Sequence, residues 1–89
     1  MIDLSQANSI GPKMIAFDFE VDATGLQCPL PLLRLKKAIM EIDSGSVVKV
    51  IATDPAAHLD FGVYLDQSGH VLLHKHKETE RQIFYIKKK

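Results

Sequence analysis

Cys28 is the single cysteine among 89 residues. It stands in the run Gly25-Leu26-Gln27-Cys28-Pro29-Leu30-Pro31. A thiolate is a strong nucleophile, so the question is whether this position favours one. Gly25 marks a turn that can lift the sulfur into solvent. Pro29 suits the first position of a helix, where its missing N–H costs nothing, and Pro31 still falls in the first turn. A helix start carries partial positive charge and biases a thiol toward its thiolate. The two prolines remove two helix N–H groups but also fix the backbone that holds the sulfur. Free cysteines are among the most buried residues, and composition alone favours an inert core role. A helix start between a glycine turn and Pro-Leu-Pro argues against that role. With no second cysteine, disulfide exchange of the Cys-x-x-Cys type has no resolving thiol. What remains for such a thiol is redox sensing or carrying a group, and persulfidation is among its reversible caps.

Four other sets of residues bear on chemistry. His74 and His76 sit two apart on a predicted strand and share a face; with no third ligand in view, a solvated face outweighs a metal site. His58, early in the second predicted helix, would raise thiolate content if it reached Cys28. Asp54 reads as a helix cap rather than a catalytic acid. Arg34, Lys36 and Lys37 follow the cysteine closely, either as a solvated face or as a rim that an acidic partner surface recognises.

The elements that must position these groups follow from periodicity. Ala16-Phe17-Asp18-Phe19-Glu20-Val21-Asp22 alternates apolar and acidic residues, which predicts a half-buried strand with Phe17, Phe19 and Val21 toward the core. Leu32, Leu35, Ile39 and Ile42 recur at helical spacing, with Arg34, Lys37 and Glu41 on the other side and Ser44-Gly45 as the stop. Val47-Val48-Lys49-Val50-Ile51-Ala52 is β-branched and predicts an inner strand parallel to the first. Asp54-Pro55 opens a second helix through Ala56, Leu59 and Val63, with Ser68-Gly69 as its end. Strands over 70–77 and 82–87 follow, joined through Glu78-Thr79-Glu80-Arg81. The order is β-α-β-α-β-β: a four-stranded mixed sheet with two helices on one face, an α/β two-layer sandwich. Residues 1–15, with Gly11-Pro12, read as a flexible leader, and 16–89 as a single domain.

Eleven basic residues balance eleven acidic ones, so the overall field steers the protein toward neither nucleic acid nor anionic membrane. The terminal lysines 87–89 read as a solubilising end. A chain this short builds a modest core with no room for a deep enclosed site, so its chemistry belongs on the surface. One cysteine, no membrane-length apolar run and no export pattern at Met1-Ile2-Asp3-Leu4-Ser5 predict a soluble cytoplasmic protein. No metal and no cofactor are expected, and the size suits a monomer.

Val21-Asp22-Ala23-Thr24-Gly25-Leu26-Gln27-Cys28-Pro29-Leu30-Pro31 resembles the signature of the TusA/SirA/YeeD family, where an acidic residue and a glycine precede a Cys-Pro-x-Pro helix start. Ala52-Thr53-Asp54-Pro55-Ala56-Ala57, followed by Asp60-Phe61, is similar to that family's entry into its second helix. The resemblance spans the chain from about Phe17 onward. It implies the β-α-β-α-β-β fold already read from periodicity, and it implies that Cys28 accepts sulfane sulfur as a persulfide, with Gly25, Pro29 and Pro31 shaping its motif. It implies a cysteine desulfurase or rhodanese-like donor and a downstream acceptor protein, on the route to thiolated tRNA in TusA. Other members serve sulfur oxidation, molybdenum-cofactor assembly or selenium metabolism. The competing expectation is a regulatory protein-interaction module whose cysteine is a redox switch.

Overall fold

The computed structural model describes residues 15–89. The leader expected over 1–15 therefore lies, apart from Ile15, outside the described residues. In chain order the elements are β1 (Phe19–Ala23), α1 (Leu30–Met40), β2 (Val47–Ala52), α2 (Ala57–Ser68), β3 (Val71–Glu78) and β4 (Arg81–Lys87). Their order in the sheet is β1-β2-β4-β3. β1 and β2 run parallel, from Phe19 opposite Val48 to Ala23 opposite Ala52. β4 pairs antiparallel with β2 on one side and β3 on the other. This is the four-stranded mixed sheet with two helices that the sequence predicts.

The helix-covered face holds the main core. Val21, Val48, Val50, Ala52, Phe84 and Ile86 of the sheet meet Leu35, Ala38 and Ile39 of α1 and Ala57 and Phe61 of α2. The Phe61 ring sits edge-on to Phe84, with centroids 4.7 Å apart at 72°. Ile51, Ile83 and Tyr85, whose alternation points them away from the helices, form a second cluster with Ile15 and Val47.

Some details depart from the expectation. Val21 is buried as predicted, but Phe17 and Phe19 are each 42% exposed. Among the described strands β1 lies at the sheet's edge, and Phe17 precedes it; its ring packs 6.3 Å from that of Tyr85, with the Lys49 amine 5.2 Å over its face. On α2 the buried face is the one that carries Phe61. Ala57 and Phe61 are buried, with Tyr64 and Leu65 packed beside them, whereas Leu59 and Val63 are 62% and 57% exposed. Residues four apart on a helix share a face, and Phe61, the bulkiest apolar group in reach, decides which face turns inward. The last connection is tighter than predicted: Glu78 pairs with Arg81, leaving Thr79-Glu80 as the turn, with Thr79 at φ 42°.

Candidate functional site

Because β1 and β2 are parallel and in register, they end side by side, Ala23 against Ala52. The two segments that lead into the helices therefore leave the same sheet edge as neighbours, the usual place for chemistry in open α/β sheets. Cross-links join them. Gly25 N–H donates to Thr53 Oγ1 at 2.8 Å, and Gly25 sits at φ +79°, where any side chain would be strained. Asp22 steadies the start of the loop by accepting from Thr24 N–H at 3.0 Å and Thr24 Oγ1 at 2.7 Å. Those bonds hold its carboxyl below the usual range.

The helix starts also differ from the prediction. Leu30 N–H donates to the Gln27 carbonyl at 2.8 Å, so a turn closes first and α1 begins at Leu30, with Pro29 as its cap residue rather than its first residue. Pro31 is then the second helical residue and is buried. α2 starts at Ala57, two residues later than Pro55 suggests. Asp54 caps the turn ahead of it: Oδ1 accepts from Ala56 N–H at 3.0 Å. Its second oxygen, Oδ2, accepts from the N–H of Cys28 across the gap. Both bonds lower the Asp54 pKa, the Ala56 bond most. One carboxylate thus shapes the entry to α2 and anchors the cysteine.

Cys28 is free and exposed. Its Sγ donates to Asp60 Oδ2, in the first turn of α2. That bond raises the thiol's pKa above its ordinary value; partial desolvation and the charges of Asp60 and Asp54 push the same way. The thiolate bias expected from the helix start is therefore overturned. The N–H groups that could have faced the sulfur are engaged or replaced by proline, while two carboxylates arrive from α2's side. His58 is not the thiol's partner either: its Nδ1 lies 2.9 Å from the Pro55 carbonyl oxygen. Asp60 is the residue that sequence reasoning missed. Its signal was present, an acid in the first turn of the helix that starts beside Cys28.

The three basic candidates separate. Arg34 and Lys37 line a groove of about 220 Å³ with Leu26, Leu30 and Leu33, beside the Cys28 loop. Leu30 and Leu33 are 48% and 52% exposed. Lys36 turns the other way, its amine 5.3 Å over the Tyr64 ring of α2. His74 and His76 share a face as expected, with ring centroids 5.3 Å apart, and His76 Nε2 lies 3.2 Å from Glu78. Among the described residues no three His, Cys, Asp or Glu groups come together as a metal site, and no helix is long and apolar enough to cross a membrane.

The geometry is that of an open α/β sandwich displaying one nucleophile at the joined starts of its two helices. The family model for Sulfurtransferase TusA matches residues 19–88. The sulfur carrier protein TusA of Allochromatium vinosum is 47% identical over 75 residues, spanning 84% of this chain and 99% of that protein. The TusA of Pseudomonas entomophila is 42% identical over 72 residues, 81% of this chain and 90% of that one. Among solved structures, a SirA-like protein from Desulfitobacterium hafniense superposes with a TM-score of 0.70 at 25% identity, covering 79% of this chain and 96% of that chain. The chain belongs to the TusA family of sulfur carriers.

Proposed function

We propose that residues 16–89 act as one carrier domain that accepts sulfane sulfur on Cys28 and passes it to an acceptor protein. In loading, the Cys28 sulfur attacks the outer sulfur of a donor persulfide. A new S–S bond forms at Cys28, the donor's S–S bond breaks, the donor leaves as a thiolate, and the Cys28 proton ends on it. The observation that carries this reading is the placement of Cys28: exposed, unpaired with any cysteine, and held by its own N–H to Asp54. Such a thiol, exposed among the described residues, is reachable by a partner's active-site loop. Gly25, Pro29 and Pro31 shape the loop, and Arg34 and Lys37 with the adjoining leucines offer the docking rim.

The donor we propose is a cysteine desulfurase or a rhodanese-like protein. The acceptor we propose lies on the route to thiolated tRNA, the outlet that the likeness to TusA implies. The reading needs one copy of the chain, no cofactor and a reducing cytosol. Intact-protein mass spectrometry after incubation with a desulfurase and cysteine tests it. A gain of one sulfur atom, reversed by reductant and absent from Cys28→Ser, is expected. No gain from a desulfurase, nor from a rhodanese with thiosulfate, would overturn the carrier reading.

A further inference from the structure

The partner of the thiol is a carboxylate, and that pairing separates an empty carrier from a loaded one. With the sulfur empty, Cys28 Sγ donates its hydrogen to Asp60 Oδ2. Removing that proton would leave two anions in contact, with Asp54 bound to the same residue's N–H as a third. Among the described residues, Asp60 and Asp54, both from the segment that opens α2, are the charged groups that act on the sulfur. Of the α1 cations, Arg34 reaches toward the Asp22 carbonyl at 3.5 Å, Lys36 lies over the Tyr64 ring and Lys37 lines the neighbouring groove. A loaded sulfur is different. The inner sulfur bears no hydrogen, and a persulfide's negative charge resides on the outer sulfur, one S–S bond of about 2 Å away from Sγ.

We infer, building on the carrier reading, that Asp60 keys Cys28 to its load: it holds the empty sulfur as a thiol, has no proton to hold on the inner sulfur of a persulfide, and so favours delivery over retention. In delivery an acceptor thiolate attacks the outer sulfur of the Cys28 persulfide. The acceptor's S–S bond forms, the bond to Cys28 breaks, and the electron pair leaves on Sγ. That thiolate takes one proton from water and keeps it, as a thiol hydrogen-bonded to Asp60. The sulfane sulfur only changes partner, so no oxidant or reductant is consumed. Protonation removes the nucleophile that would otherwise take the sulfur back.

Two measurements on wild type, Asp60→Asn and Asp60→Ser test this, with thermal melts confirming the fold and either variant sufficing. The first is the pH dependence of Cys28 alkylation by iodoacetamide, which involves no sulfur transfer. Both variants are expected to react faster at neutral pH, with the inflection at lower pH than wild type. The second is the loaded fraction at equilibrium with glutathione and glutathione persulfide. The loaded-to-empty ratio is expected to rise about threefold in the variants, as a charged acceptor for the thiol gives way to a neutral one. An unmoved inflection overturns the inference, and so does a moved inflection with an unmoved loaded fraction. A wild-type protein that never loads overturns the carrier reading instead, and the alkylation profiles distinguish that failure from this one.

Discussion

Two neighbouring positions on α2 should respond very differently to the same substitution, because they lie on opposite faces of the helix. Phe61 is 1% exposed and Leu59 is 62% exposed. Phe61→Ala removes a ring fully enclosed by the core and packed edge-on against Phe84. A buried Phe→Ala change costs about 3–5 kcal/mol, from lost transfer energy and the cavity left behind. A domain of this size has roughly 5–10 kcal/mol in total, so about half its stability goes. At about 4–8 °C per kcal/mol, the melting temperature falls by some tens of degrees. Leu59→Ala removes side chain that water already reaches and is expected to stay within about 0.5 kcal/mol of wild type. Urea titrations followed by far-UV circular dichroism, with the slope compared as well as the midpoint, give both values. Phe61 also seats the helix turn that presents Asp60 to Cys28, so its loss should move the pH profile of thiol alkylation toward that of Asp60→Asn. Equal, small losses at the two positions would refute the packing described for α2.

Charge reversal on α1 separates the groove from its surroundings. Arg34→Glu or Lys37→Glu should slow sulfur loading from a desulfurase about tenfold through weaker docking, while Lys36→Glu changes it less than about twofold; a loading assay in which Lys36→Glu is the most damaged variant would sink that assignment. Acid should weaken the fold through Asp22, Asp54 and Glu78, whose folded pKa values are depressed by hydrogen bonds to Thr24, to Ala56 and Cys28, and to Arg81 and His76. The unfolded chain binds more protons between those depressed values and the ordinary carboxylate range near about 4, so stability present above that range is lost as pH falls through it. Urea midpoints at pH 3 and pH 5 check this, and equal midpoints would contradict it.

Architecture was legible because it rests on periodicity. Leu32, Leu35, Ile39 and Ile42 at helical spacing, and the β-branched run from Val47, mark elements whose burial the structure repeats. Phe17 and Phe19 misled because pattern cannot tell a strand's interior from its exposed edge. At the site, Cys28 stood out by its own neighbours, and the shared sheet edge of the two helix starts was already implied by a parallel pair. The identity of the thiol's partner was not. His58 and Asp60 lie two residues apart in one helical turn, and only the rotation of α2, set by Phe61, decides which of them meets the sulfur. The sign of the thiol's pKa shift turned on that choice.

The place of β4 in the sheet has a consequence for how the molecule can be divided. It follows β3 in the chain yet lies between β2 and β3, so the closing hairpin joins the edge of β2 through its second strand. A break near Gly69 would part the chain into a piece that owns Cys28, Asp54 and Asp60 and a hairpin that owns Phe84 and Ile86, the sheet side chains that close the core. Neither piece holds a finished interior. Supplied separately, the hairpin should restore the larger piece by slotting into its open flank, turning a sulfur carrier into a two-part reporter whose thiol is correctly seated only while both parts are together.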